Sequence, residues 1–122
     1  MAAGRTLSGA RIAVLGYAYL EESDDDRNSP SAGLVERLAN RGAEILIHDP
    51  FVPNYQGDVW QALTGSDAAV IMVAHRLYRT LDLAAVRQAL RTPLLVDGRH
   101  IIDAEQARSA GLRYYCVGVG VS

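Results

Sequence analysis

Five short apolar runs are spaced along the 122 residues, and they alternate with segments that have helical spacing. Strands that alternate with helices imply right-handed crossovers and a parallel sheet that is covered on both faces. The pattern therefore predicts a three-layer α/β domain with five parallel strands in the usual order 3-2-1-4-5. The strands are predicted over residues 11–16, 44–48, 68–74, 94–96 and 114–117. The run 68–74 is the most apolar, which favours a central strand.

Capping residues mark the predicted helices. Ser29 and Pro30 suit a helix start, because serine can accept hydrogen bonds from free backbone N–H groups and proline fits the first turn. Gly42 suits the end of that helix. Asp82 is predicted to cap a helix that continues to Leu90. Shorter helices are expected over residues 59–63 and 103–109.

The length fits a single domain with one hydrophobic core, predicted over residues 10–122 after a leader or linker remnant at residues 1–9. No apolar run approaches the roughly 18 residues needed to span a bilayer, and the N-terminus does not resemble a signal peptide. The net charge of -2 gives no reason to expect binding to nucleic acid or to membranes. A cytoplasmic protein is therefore expected.

Residue counts limit the chemistry that the chain can perform. All 12 lysine-or-arginine positions are arginine, so no mechanism can use a lysine ammonium as a Schiff base or in a phosphate-binding loop. Cys116 is the only cysteine, which excludes an internal disulfide. It follows Tyr115 in an apolar stretch with no base beside it, so a buried structural thiol is predicted rather than a nucleophile.

Two loops combine glycine with arginine at the predicted ligand-binding edge. In the predicted strand order, the loops that leave strands one and four diverge and open a crevice at the carboxyl ends of those strands. They are residues 16–30, which include Gly16 and Arg27, and residues 97–100, which include Gly98 and Arg99. Glycine lets a ligand approach the backbone, and two guanidinium groups near a helix N-terminus suit a phosphate or diphosphate. The alternative is that Arg27 pairs with the acidic run 24–26 and Arg99 with Asp97.

Other polar groups give weaker signals. The acidic run 24–26 would suit a metal or a phosphorylation pocket, but such a pocket also needs a lysine, so a solvated loop is favoured. His48 and His75 close two neighbouring predicted strands, where structural or edge roles are favoured because no cysteine or glutamate lies at ligand spacing. No bound metal is therefore expected. The loop after strand one also lacks the second and third glycines of the dinucleotide fingerprint.

The order of these residues resembles a known family. One stretch is similar to the motif G-x-A-(F/Y)-K-x-x-(T/S)-x-D-x-R-x-S-P, with Gly16-Tyr17-Ala18-Tyr19 followed by Asp25, Arg27, Ser29 and Pro30. That motif opens the C-terminal domain of UDP-glucose/GDP-mannose dehydrogenases. Further landmarks extend the resemblance over roughly residues 10 to 120, and they are Gly42-Ala43-Glu44, Asp49-Pro50, Ser66-Asp67-Ala68, His75 and Asp97-Gly98-Arg99.

The resemblance implies a Rossmann-like sheet and a set of binding residues. In the family this domain binds the UDP part of a nucleotide sugar. By position, Gly16 and Tyr19 would line that pocket, and Arg99 would contact the nucleotide sugar. Arg27 would lie near the dinucleotide cofactor at the domain junction. The family's lysine, which contacts the sugar nucleotide at the reaction centre, falls on Leu20, and leucine can neither donate a hydrogen bond nor carry a charge.

Complete members of the family also need an N-terminal NAD-binding domain and a central helical region with the catalytic cysteine, and no segment here matches either. The chain is therefore expected to bind a UDP-sugar for an NAD-dependent UDP-sugar 6-dehydrogenase, to be inactive alone and to need no cofactor itself. The alternative is a divergent stand-alone interaction or oligomerisation module, in which Leu20 suits a protein contact. A homo-oligomer is compatible with either. An independent small α/β enzyme ranks last, because no nucleophile–base pair is visible.

Overall fold

The computed structural model describes residues 9–17 and 30–116, which form one five-stranded parallel sheet flanked by helices. The α/β class and the parallel sheet are therefore confirmed. In chain order the elements are β1 (Arg11–Leu15), α1 (Pro30–Asn40), β2 (Glu44–His48), a 3₁₀ turn (Pro53–Tyr55), α2 (Val59–Leu63), β3 (Ala68–Ile71), α3 (Arg76–Arg79), α4 (Leu83–Ala89), β4 (Leu94–Asp97), α5 (Ala104–Ser109) and β5 (Arg113–Cys116). Residues 1–8 of the predicted leader lie outside the described part.

The strands lie in the order β2-β1-β3-β4-β5, so the predicted order 3-2-1-4-5 is wrong. β1 pairs with β2 on one side and with β3 on the other, and Val14 lies opposite both Ile47 and Val70. The physical reason is that the most apolar run needs cover on both edges, which β1 and β4 give to β3. The order 3-2-1-4-5 would have left that strand at an edge with unpaired backbone groups. The predicted central place of β3 is thus correct.

The hydrophobic core lies between one face of the sheet and helices α2 to α5. Side chains alternate between the two faces along a strand, so every second strand residue enters this core. Its buried members include Ala13, Leu15, Ala69, Ile71 and Leu95 from the strands, with Leu63, Tyr78, Val86 and Ala107 from the helices. Full burial of a large apolar side chain contributes about 1.5–3 kcal/mol. The core therefore holds the carboxyl ends of β1, β3 and β4 in fixed positions relative to one another.

The predicted helix boundaries are confirmed where the structure describes them. The Asp82 carboxylate accepts hydrogen bonds from the backbone N–H groups of Ala84 and Ala85, at 3.1 and 3.3 Å. Asp103 caps α5 in the same way. Gly42 follows α1 with a φ of 89°, the left-handed conformation that ends a helix. None of the described helices is long and apolar enough to cross a membrane.

The strand predicted over residues 68–74 is three residues too long. β3 ends at Ile71, and the chain then turns into the short helix α3, which the apolar pattern did not indicate. The Ile71 carbonyl accepts the N–H of Gly98 at 2.9 Å, and Val73 packs against Gly16. Val73 and Ala74 are therefore apolar because they are buried beyond the end of β3, and not because they extend the sheet.

The predicted burial of Cys116 is wrong, because its side chain is exposed. Among residues 9–17 and 30–116, β5 is an edge strand of the sheet and pairs with β4 alone. Tyr114 is 3% exposed within the core, whereas Tyr115 is 58% exposed. An apolar sequence at an edge strand therefore does not ensure burial, and Cys116 is a surface thiol.

Candidate ligand-binding edge

The corrected strand order moves the crevice at the carboxyl edge of the sheet. The chain leaves β1 toward β2 and later returns to the other side of β1, where it forms β3. In open parallel sheets the ligand crevice opens where neighbouring strands continue in opposite directions, which here is between β1 and β3. Gly16 and Tyr17 follow β1, and residues 72–75 follow β3. These two segments flank the crevice, and the loop after β4 lies one strand further along the same edge.

The two glycines at this edge serve close packing of protein backbone. Gly16 has a φ of 102°, and a Cβ built on it would lie 2.6 Å from the Cβ of Val73 and 2.8 Å from its backbone nitrogen. A Cβ on Gly98 would lie 2.8 Å from the carbonyl oxygen of Ile71. The Cβ sides of these two glycines are thus occupied by the loop after β3 and by the end of that strand.

A buried carboxylate links the loops on both sides of the crevice. Asp49, directly after β2, accepts hydrogen bonds through Oδ2 from the Tyr17 backbone N–H at 2.7 Å and from Nε2 of His75 at 2.9 Å. Its Oδ1 accepts the Phe51 N–H at 2.8 Å. The side chains of Asp49 and His75 are both fully buried. One carboxylate therefore joins the segments that follow β1, β2 and β3.

A second buried polar group lies beside this carboxylate. Nε2 of His48 is 3.0 Å from the Gly57 carbonyl, which can only accept, so Nε2 carries the proton. The Tyr78 hydroxyl lies 2.8 Å from Nδ1 of His48 and 2.8 Å from its carbonyl oxygen. Burial lowers the pKa of His48 from its ordinary 6.5 and raises the pKa of Tyr78, since each charged form loses hydration. Both rings therefore have structural roles in the neutral form.

The loop after β4 is folded around Asp97. The carboxylate accepts the Arg99 N–H at 3.0 Å, and it accepts the N–H groups of Ile101 and Ile102 at 2.8 Å each. The Tyr114 hydroxyl donates to the same carboxylate at 2.7 Å. These donors occupy both oxygens of Asp97. The Arg99 side chain is exposed, and none of the described hydrogen bonds pairs its guanidinium with Asp97.

A cleft lies beside the loop of residues 97–100, the Arg99 loop, near the carboxyl edge of the sheet. It encloses about 430 Å³ between the α3–α4 junction and the start of α5. The apolar part of its lining consists of Leu81, Leu83, Ala84, Ile101 and Ile102. Its polar part includes Arg79, whose side chain is exposed, while Asp82 and Asp103 are engaged at the ends of α4 and α5. Arg79 and Arg99 thus supply exposed positive charge near the carboxyl edge.

The predicted site residues fall into two groups. Gly16 follows β1 and Arg99 follows β4, so both lie at the carboxyl edge, with β3 between their strands. Two strand spacings separate those strands by about 10 Å. Tyr19, Leu20 and Arg27 lie outside the described residues, together with the acidic run 24–26. Within the described parts, no three histidine, cysteine or acidic side chains come together in a way that could hold a metal ion.

Asp49 is the residue at this edge that the sequence analysis undervalued. It appeared only as one landmark of the resemblance. Its signal was a charged residue directly after a buried strand, at the edge where ligand crevices form. His75 lies four residues after the end of β3. The expectation that His48 and His75 close two neighbouring strands is wrong, because β2 and β3 both pair with β1 and not with each other.

The sequence and the fold both match proteins of one family. Residues 13–104 match the model of the UDP-glucose/GDP-mannose dehydrogenase family, UDP binding domain. The chain belongs to the UDP-glucose/GDP-mannose dehydrogenase family. A UDP-glucose 6-dehydrogenase of Bacillus subtilis is 32% identical over 123 residues, which cover 92% of this chain and 28% of that protein. A UDP-N-acetyl-D-mannosamine dehydrogenase of Pyrococcus horikoshii is 36% identical over 95 residues, covering 78% of this chain and 23% of that protein.

Solved structures of UDP-glucose/GDP-mannose dehydrogenase relatives share the fold. The UDP-D-ManNAc dehydrogenase of Pyrococcus horikoshii superposes with a TM-score of 0.84 at 32% identity, over 96% of this chain and 27% of that one. An NDP-N-acetyl-D-galactosaminuronic acid dehydrogenase of Methanosarcina mazei gives a TM-score of 0.87 at 29% identity, over 94% and 26%. The chain thus spans little more than a quarter of these relatives and corresponds to the C-terminal domain of the family.

Proposed function

We propose that this chain binds the UDP part of a nucleotide sugar at the carboxyl edge of its sheet. The observation that carries the proposal is the Arg99 loop. Asp97 fixes the backbone of that loop through three N–H groups, while the Arg99 side chain stays exposed. A guanidinium on a fixed backbone suits a diphosphate, because its planar fork pairs with phosphate oxygens and little freedom is lost on binding.

The family and the geometry support the same edge. The matched family model describes a UDP-binding domain, and the resemblance assigns the nucleotide-sugar contact to Arg99 and the pocket lining to Gly16, Tyr19 and Leu20. The β1–β3 crevice and the exposed Arg79 lie at this edge too. UDP carries negative charge on its phosphates, so these arginines provide the complementary charge.

The oxidation step belongs, in this proposal, to a complete enzyme that uses NAD and that contains an NAD-binding domain and a central helical region. Relatives of which this chain spans 28% and 23% are named as dehydrogenases. The two histidines of the described edge are buried and engaged in structural hydrogen bonds, so they are not available to exchange protons with a substrate. The isolated chain is therefore proposed to bind UDP without catalysing oxidation.

Calorimetric titration of UDP into the purified chain tests this proposal directly. Saturable binding that depends on Arg99 supports it. UDP serves as the probe because the proposal concerns the nucleotide part, whereas the sugar is left open.

A further inference from the structure

Three loops converge on the buried carboxylate of Asp49, and one of them begins the proposed binding edge. Tyr17 and His75 meet on Oδ2 at 2.7 and 2.9 Å, while Phe51 meets Oδ1 at 2.8 Å. The Phe51 ring also packs on the His75 ring, with centroids 5.0 Å apart. The Tyr17 N–H is thus held by a carboxylate that His75 and Phe51 hold in turn.

Stability alone is a poor explanation for this arrangement. A buried carboxylate loses its hydration, and a buried polar interaction contributes little net stability compared with apolar side chains of similar volume. The hydrogen bonds from Tyr17, Phe51 and His75 offset the loss of hydration at Asp49, and their directions specify one position for each donor. The arrangement therefore fixes geometry at Tyr17 more than it adds to the free energy of unfolding.

We propose that Asp49 and His75 are positioning residues for nucleotide binding. His75 orients the Asp49 carboxylate, and Asp49 holds the Tyr17 N–H, which sets the course of the chain where it leaves β1 at the crevice. Neither side chain touches the ligand, because both are fully buried. The inference rests on the proposed function, since the ligand that benefits from this positioning is UDP.

A ligand-free measurement tests the first half of the inference. Amide hydrogen exchange by NMR reports the Tyr17 N–H directly. In Asp49→Asn this amide is expected to exchange about tenfold faster, because a neutral amide oxygen replaces the charged acceptor and holds the N–H less strongly. Asp67→Asn is the matched control, since Asp67 accepts the Arg11 N–H at 2.9 Å at the opposite edge of the sheet. It should speed exchange at Arg11 and leave Tyr17 unchanged.

UDP affinity tests the second half. Asp49→Asn and His75→Phe are expected to weaken UDP binding by about tenfold, whereas Asp67→Asn leaves the dissociation constant within about twofold. His75→Gln keeps an N–H donor within reach of Asp49 and should restore most of the affinity. His75→Phe keeps the aromatic packing on Phe51 but removes the hydrogen bond to Asp49. If His75→Phe loses UDP affinity and His75→Gln retains it, the loss is due to the hydrogen bond and not to the ring. If Asp49→Asn does not fold, as judged by circular dichroism, the two His75 variants decide.

The outcomes separate this inference from the proposed function. If the wild type binds UDP and the Asp49 and His75 variants bind it equally well, the inference is overturned while the function stands. If Asp67→Asn weakens binding as much as Asp49→Asn does, general destabilisation explains the loss and the inference is also overturned. If the wild type does not bind UDP at all, the proposed function fails and the inference fails with it, even where exchange at Tyr17 responds as expected.

Discussion

Gly16 lies so close to Val73 that a Cβ on the glycine would stand 2.6 Å from the Cβ of the valine. This contact joins the loops after β1 and β3, and it lies where the corrected strand order places the crevice. A Cβ on Gly16 would also lie 2.8 Å from the backbone nitrogen of Val73. Because that atom belongs to the backbone, a change of the valine rotamer alone cannot relieve the clash.

Gly16→Ala is therefore expected to destabilise the fold strongly. The substitution combines an unfavourable φ of 102° with overpacking against backbone, which together cost about 3 kcal/mol. Urea unfolding followed by circular dichroism measures the change. Gly65→Ala is the control, because Gly65 has a φ of 80° but the nearest atom to its Cβ would be a side-chain nitrogen of Arg11 at 3.4 Å. It should cost about 1 kcal/mol. Equal losses at the two positions would show that packing against Val73 is unimportant.

His48 predicts a pH dependence of stability. Burial lowers its pKa from 6.5, so between the folded and unfolded pKa values the unfolded chain binds more protons than the folded one. The contribution of the neutral ring is fully present above pH 6.5 and is lost as the pH falls below that value. The free energy of unfolding, measured with urea between pH 5 and pH 7.5, should therefore change less steeply with pH for His48→Gln than for the wild type. The same pH dependence in both proteins would show that His48 does not cause it.

The Tyr114 hydroxyl stabilises the Arg99 loop through its hydrogen bond to Asp97. Its hydroxyl donates to Asp97 at 2.7 Å and contacts the Ile102 carbonyl at 3.0 Å, and it is buried. Tyr114→Phe removes one of the donors to a buried carboxylate and is expected to cost about 1–3 kcal/mol. Tyr115→Phe is the neighbouring control, because its ring is 58% exposed, and should change stability by less than about 0.5 kcal/mol. Thermal unfolding measures both changes, and a larger loss of stability for Tyr115→Phe than for Tyr114→Phe would contradict this prediction.

Leu20 is where the sequence departs from the family motif, and a substitution tests the consequence. Leu20→Lys restores the ammonium that the motif places there, and it should tighten binding of a UDP-sugar by about tenfold through a charge-assisted hydrogen bond. Leu20→Met, which stays neutral and similar in size, should leave the affinity unchanged. Calorimetric titration compares both with the wild type. A tighter complex with methionine, or no gain with lysine, would mean that this position does not face the nucleotide sugar.

Local patterns predicted the elements well because their causes are local. The Asp82 cap, the glycine that follows α1 and the bounds of β2 all depend on neighbouring residues, and the structure has them where the sequence indicated. The strand order was missed because it depends on which apolar runs need cover on both edges, and the assumed order left the most apolar run at an edge. That run itself carried the information needed to reject the order.

The site was predicted in part for the same reason. Gly16 and Arg99 lie at the carboxyl edge as expected, because the end of a strand fixes where the next residues emerge. The sequence did not indicate that Asp49 joins these loops, because its partners Tyr17 and His75 are distant in sequence and meet only after the sheet forms. The exposure of Cys116 was missed because edge and central strands have similar sequences when each is read alone.

The central claim is that the carboxyl edge binds UDP through Arg99. Calorimetric titration of UDP at fixed salt should show saturable binding to the wild type, and Arg99→Ala should weaken it by roughly ten- to a hundredfold, as loss of a charged phosphate contact does. Arg113→Ala removes the same charge from an exposed side chain at the amino end of β5 and should bind like the wild type. No heat from the wild type at millimolar UDP, or the same isotherm for Arg99→Ala and the wild type, would contradict the account.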